Sequence, residues 1–179
     1  MNSNFQTNDS PLSASGRFGR MSYLGWNMLL VFLLFLLGIL AGIFLPVLMN
    51  LSPESMTITT SIFFIIIYIV IIFFSFIFAI RRLHDKNQSG WLSLIMLVPL
   101  INLFFFVYLS CAKGDAGTNN YGAPRVTKGW EKVLGWIYII LIPISIILIA
   151  VSAIPAYQSY IERAQLQQLE YQQQVEQSE

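Results

Sequence analysis

Charge is the scarcest property of this sequence. Lys, Arg, Asp and Glu make up 11% of its 179 residues, whereas a soluble domain carries roughly 25%. Cysteine occurs once, at Cys111, so no intramolecular disulfide can form. Histidine also occurs once, at His84, and no His/Cys cluster with metal-ligand spacing accompanies it, so no metal is expected. Neither sign of charge dominates. The 10 Lys+Arg and 9 Asp+Glu leave a net +1, which gives no reason to expect a nucleic acid partner. With no Gly-rich phosphate loop and no Ser-His-Asp set, no cofactor and no catalytic residue are assigned. Against these absences stand an apolar fraction of 56% and a mean hydropathy of +0.66. A disordered chain, a disulfide scaffold and an ordinary cytosolic enzyme are excluded. An integral membrane protein is left.

A helix needs about 20 mainly apolar residues to cross about 30 Å of hydrocarbon. Four stretches approach that length: 23–49, 57–80, 91–112 and 134–156. The first holds no charged residue and opens with Tyr23 and Trp26, which suit a membrane–water interface. It follows a polar segment and far exceeds the about 7–15 apolar residues of a secretory signal, so it is read as a span. The second is almost wholly Ile, Phe and Val over 62–72, and the third is broken by Pro99 and Asn102. Barrel strands alternate polar with apolar residues, and none of these stretches does. The expected fold is an all-α integral membrane protein. It is a small helical bundle of three full spans plus a re-entrant or kinked hairpin segment and a C-terminal polar helical tail. Residues 1–15 read as a disordered tail, 125–133 as a basic linker and 157–179 as a Gln/Glu-rich tail.

Basic residues stay preferentially on the cytoplasmic side. Four plain crossings from a cytoplasmic N-terminus put six of the ten inside and four outside. If 91–112 instead dips in and returns, nine lie inside and only Arg163 outside. Pro99 removes a helical hydrogen bond and Asn102 offers a polar group to exposed backbone, both consistent with a hairpin turn. A proline-kinked full span is the alternative, and the side of the C-terminus depends on the choice.

Three further segments stand out. They are Gly16-Arg17-Phe18-Gly19-Arg20-Met21-Ser22-Tyr23; Arg81-Arg82-Leu83-His84-Asp85 followed by Ser89-Gly90-Trp91; and 114–122, ending Asn119-Asn120-Tyr121-Gly122. In this order, with apolar segments between them, they resemble the bacterial inner-membrane family called domain of unknown function 805. The likeness covers roughly residues 15–124. The third element departs slightly, reading Asp115-Ala116-Gly117-Thr118-Asn119 where the family more often repeats Gly-Thr-Pro-Gly. The resemblance implies a bacterial inner-membrane location and no established activity. A second resemblance lies at the end: Ala153-Ile154-Pro155-Ala156-Tyr157 after an apolar helix is similar to the first helix of type IV pilins. Val133 stands where the prepilin glycine would be and Tyr138 where pilins carry a glutamate, so a pilin-like anchor is expected rather than a subunit.

The chemistry available to these motifs has two readings. His84 beside Asp85 could form an acid–base pair, but helix neighbours point about 100° apart. The plainer reading is a charged helix end. On the cytoplasmic face Arg17, Arg20, Arg81, Arg82, Lys86 and Arg125 could form a collar with Asp85 and Asp115 as ion-pair partners. It would be structural, or would bind anionic lipid headgroups through the bidentate donors of arginine. The candidate positions are Gly16, Arg17, Gly19, Arg20, Tyr23, Arg81, Arg82, His84, Asp85, Ser89, Gly90, Trp91, Asn120, Tyr121 and Gly122, with Pro99 and Asn102 at the turn. Gly38 and Gly42 form one small-xxx-small pair suited to close helix packing. Residues 157, 161, 164, 168, 171 and 175 follow a coiled-coil spacing too short for a stable one. The expected partners are the lipid bilayer and, through the tail, an envelope protein. The expected role is a structural or interaction component of the envelope. A small-molecule or lipid transporter, a channel or a membrane enzyme is the alternative.

Overall fold

The computed structural model describes residues 10, 12–49 and 53–178. The expected N-terminal tail and the loop between the first two spans lie partly outside the described residues. Among the described residues four α-helices account for most of the chain: α1 Arg20–Met49, α2 Pro53–Asp85, α3 Ile101–Cys111 and α4 Gly129–Ser178. A 3₁₀ helix, Gly90–Leu97, lies between α2 and α3. Among the described residues there is no strand, only an isolated Asn119–Gly122 bridge. Three stretches of the described residues are long and apolar enough to cross a membrane: Arg20–Leu45, Thr57–Asp85 and Gly129–Gln173. Large apolar side chains along them face outward, with Phe35 66% and Ile69 60% exposed. A continuous apolar surface of this kind is costly in water and at no cost against lipid tails.

The chain forms two compact units, Met1–Tyr138 and Ile139–Glu179. The second is the remainder of α4, which stays helical through the Gln/Glu-rich stretch to Ser178 with Tyr157, Leu166 and Tyr171 exposed. The first contains the buried core, made by Phe18, Tyr23, Leu24, Ile77, Phe78, Ala79, Leu83, Phe105 and Leu109. These residues gather where α1 begins and α2 and α3 end. The core therefore sits at the charged end of the unit.

The segment after α2 reverses direction. Ser89 caps the 3₁₀ helix, its Oγ accepting the Trp91 N–H at 3.4 Å. The helix packs closely on α2 at Gly90, where a β-carbon would lie 2.9 Å from Ile80 Cγ2. The chain then turns at Pro99–Leu100. Ile101 N–H donates to the Pro99 carbonyl at 2.8 Å across Leu100, whose φ is 66°. This is a γ-turn of the positive-φ type, a rare and strained geometry for a residue with a side chain. On the return arm the Tyr108 hydroxyl meets Gln88 Oε1 at 3.2 Å, and Lys86 Nζ lies 4.1 Å from the Tyr108 ring centroid. Both arms thus end beside the C-terminus of α2.

Three expectations are corrected. Asn102 serves the turn through its backbone, its N–H donating to the Val98 carbonyl at 2.9 Å, whereas the carboxamide expected to do so makes no hydrogen bond among the described residues. The stretch read as a basic linker, 125–133, is partly helical, since α4 starts at Gly129, and it delivers the fully buried Glu131. Gly38 and Gly42 meet nothing within 4 Å. The close approach falls elsewhere, at Gly25, where a β-carbon would lie 2.5 Å from the Glu131 carbonyl, and at Gly135, where it would lie 2.8 Å from Met21 Cε.

Candidate functional site

Arg17 enters the core just before α1 and is fully buried. Its Nε and Nη2 donate to Asp85 Oδ1 at 3.1 and 3.0 Å. Nη2 also donates to the Asp115 carbonyl at 2.6 Å, and Nη1 to the carbonyls of Gly117 and Gly122 at 2.7 and 3.0 Å. One guanidinium therefore ties the N-terminal motif to the end of α2 and to the 114–122 loop. Gly122, at φ 107°, adopts a backbone that side chains rarely allow, and this conformation presents its carbonyl.

Arg82 completes the arrangement from α2. Its Nη1 donates to Asp85 Oδ2 and, at 3.1 Å, to the Phe18 carbonyl. Its Nε donates to the Leu109 carbonyl at 2.7 Å, and Nη2 to that of Ala112. Two guanidinia facing one carboxylate leave a surplus positive charge, and burying it would ordinarily be prohibitive. The helix ends supply the balance. Leu109 and Ala112 close α3 and Asp85 closes α2, so the negative ends of two helix dipoles converge on these arginines. Gly114 is required by the same packing, because a β-carbon there would overlap the Asp85 carboxylate.

A second cluster adjoins the first. Phe18 is fully buried with the Arg81 guanidinium 3.9 Å and the Arg125 guanidinium 5.3 Å from its ring centroid. Trp26 stacks on Phe18 at 6.1 Å and meets Trp130 edge-on at 5.2 Å. Glu131, in the first turn of α4, is the acceptor that joins them. Its carboxylate receives Arg125 Nη2 at 2.6 Å, Trp26 Nε1 at 2.9 Å, Ser22 Oγ at 2.8 Å and the Lys128 N–H at 3.0 Å. A carboxylate at a helix N-terminus is favoured by the dipole, which adds to these bonds.

His84 and Asp85 do not form a pair. The Asp85 carboxylate faces the two arginines. The His84 ring instead stacks on Tyr121, with centroids 3.8 Å apart and planes 8° from parallel, and its Nδ1 lies 3.3 Å from the Gly16 carbonyl. The carbonyl can only accept, so that nitrogen carries the proton. Asn119 rather than Asn120 organises the loop. Its Nδ2 donates to the His84 carbonyl at 2.8 Å and its Oδ1 accepts the Tyr121 N–H at 2.9 Å. Asn120 contributes its backbone N–H to Asn87 Oδ1 at 3.3 Å.

The structure therefore brings together Gly16, Arg17, Arg81, Arg82, His84, Asp85, Tyr121 and Gly122, with Arg125 in the adjoining cluster. Arg20 and Trp91 are exposed, and Gly19 meets only Thr127 Oγ1 at 3.6 Å from an added β-carbon. Ser89 and Gly90 shape the 3₁₀ helix, and Tyr23 lies in the core beside Phe106. Asp115 accepts from Arg17 through its carbonyl rather than its carboxylate, so it is not the expected ion-pair partner. Phe18 and Asn119 lie within the motif segments but not among the candidate positions, and Glu131 lies outside both. Among the described residues no group of three or more His, Cys, Asp or Glu could hold a metal ion.

The family model described as protein of unknown function DUF805 matches residues 11–123. Two Escherichia coli K12 proteins are similar over shorter stretches. Inner membrane protein YhaI is 43% identical over 44 residues, 25% of this chain and 37% of its own length. Inner membrane protein YhaH is 38% identical over 42 residues, 24% of this chain and 35% of its own length. The chain thus spans just over a third of each of these relatives. No solved structure matches it. Since the matched region covers more than half of the sequence and contains Arg17, Arg82, Asp85 and the loop that closes over them, the chain belongs to the DUF805 family of unknown function.

Proposed function

We propose that this protein is a structural or interaction component of the bacterial inner membrane, and that its motif residues form a lock closing the bundle at the cytoplasmic end. The carrying observation is that Arg17 and Arg82 are fully buried and spend their donors on one carboxylate and on backbone carbonyls of three separate segments. A site built for turnover keeps groups facing a cleft, whereas these side chains face each other. The inner-membrane location is inferred from the relatives and from the three apolar helices. On this reading anionic headgroups are met by exposed cations at the same end, such as Arg20, Lys113 and Lys132, rather than by the buried pair. The exposed polar tail of α4 is the surface offered to an envelope partner.

The reading is tested by comparing Asp85→Asn with His84→Gln in detergent and in cells. A lock requires Asp85→Asn to lower the melting temperature sharply and His84→Gln to change it little, with the folded His84 variant keeping its membrane abundance and its crosslinked neighbours. A His84 variant that folds normally but loses a cellular phenotype of the wild type would favour chemistry at this residue. An Asp85→Asn protein as stable as wild type would reject the lock.

A further inference from the structure

A cavity of about 480 Å³ lies among α1, α2 and the hairpin, away from the buried arginines. Its walls are mostly apolar, yet Tyr23, Ser75, Asn102 and Tyr138 all line it. The side-chain polar groups of these four make no hydrogen bond among the described residues. Asn27, also on the wall, gives its Nδ2 to the Tyr23 carbonyl at 2.8 Å. Ser75 and Asn102 also line an adjoining cleft of about 410 Å³. Ser75 stands ten residues before the end of α2, about 15 Å along the helix from Asp85 at about 1.5 Å per residue. The cavity therefore runs from the charged end to the level of the hairpin turn.

In a bilayer a polar side chain without a partner is expensive, and such groups inside spans mark functional positions. No Asp, Glu, Lys, Arg or His lines this cavity, so a charged group would enter without a counter-ion. The hydroxyls and the carboxamide supply donors. The rings of Tyr23, Phe106 and Tyr138, with Phe106 6.0 Å from each of the other two and inclined 44° and 84° to them, supply an aromatic corner. We propose that the cavity binds a neutral membrane amphiphile whose head carries carbonyl oxygens, hydrogen-bonded by Asn102, Ser75 and the tyrosine hydroxyls. Its apolar chain leaves between the helices into the lipid. The volume falls within the about 300–1,000 Å³ of small-molecule sites. Two membrane sources carry this head chemistry, an isoprenoid quinone and a diacylglycerol.

The test is titration of the full-length protein, purified in a non-ionic detergent, with decylubiquinone, dioctanoylglycerol and dodecyl phosphate. Binding is followed by calorimetry and, for the quinone, by quenching of aromatic emission. Saturable binding of at least one neutral probe is expected, with the two arms identifying the source and dodecyl phosphate binding at least tenfold more weakly. Ser75→Ala combined with Asn102→Leu removes two unpartnered polar groups, so folding is retained and affinity should fall at least tenfold. Ser75→Leu fills the cavity instead and should give the same loss. Absence of saturable binding by both neutral probes, equal binding of dodecyl phosphate, or affinity unchanged in both variants would overturn the proposal and leave a water-filled or lipid-filled cleft.

Discussion

Removing the Arg82 guanidinium takes a donor from four acceptors at once: the Asp85 carboxylate and the carbonyls of Phe18, Leu109 and Ala112. Breaking one partner from a buried ion pair costs about 3–5 kcal/mol, because the remaining charge stays buried without its counter-ion. Arg82→Gln should therefore lose about that much stability in detergent melting, while Arg20→Gln, two residues beyond Phe18 but exposed, should melt like wild type. Equal melting of the two variants would contradict the burial argument. At this scale the sequence was informative about which residues matter and less so about what they touch. Adjacent Arg, His and Asp in one motif point to a shared site, but not to the His84 ring leaving Asp85 for Tyr121. Glu131 was invisible for a physical reason. It lies among Lys128, Lys132 and Arg125, where a lone carboxylate reads as a surface counter-charge. Nothing in local spacing reveals that Ser22, 109 residues earlier, donates to it.

Helix-length patterns were easier to read than helix contacts. Uninterrupted apolar runs can satisfy their backbone in lipid only as helices, so α1, α2 and α4 follow from composition alone. The reversal at Pro99–Leu100 was announced by the proline, but the helix restart at Ile101 depends on a strained γ-turn that no residue preference indicates. Packing between helices is harder to read for a related reason. Gly38 and Gly42 have the spacing of a contact motif yet meet nothing within 4 Å, whereas Gly25 and Gly135 have no small partner at that spacing in their own helices and become a pair only when α1 and α4 meet. The consequence is measurable. Gly25→Ala forces its β-carbon against the Glu131 backbone and should destabilise by about 1–3 kcal/mol, as overpacking does. Gly38→Ala adds helix propensity without a clash and should stabilise by up to about 1 kcal/mol. Thermal unfolding of the two variants in one detergent gives opposite shifts if the observed packing holds, and shifts of the same sign if it does not.

For the molecule as a whole, the hairpin and a kinked span make different demands on the same hydrogen bonds. A full crossing by residues 91–112 would carry the 114–122 loop to the far side of about 30 Å of hydrocarbon. Arg17 Nη1, however, donates to the carbonyls of Gly117 and Gly122, and Asp115 N–H donates to the Asp85 carbonyl at 2.8 Å. None of those bonds survives a crossing, and two buried guanidinia would then lose acceptors together. Keeping them requires the start of α1, the ends of α2 and α3 and the start of α4 to share one side. Nine of the ten basic residues belong to those segments, with Arg163 the exception, so the positive-inside preference predicts a cytoplasmic side for them. A reporter active only in the periplasm should then be active when fused after Glu179 and silent when fused after Lys113 or Asn120. A paired cytoplasm-active reporter should give the reverse pattern. Activity of the periplasmic reporter at Asn120 and silence at Glu179 would mean that 91–112 crosses, and the arginine lock could not exist in the inserted protein.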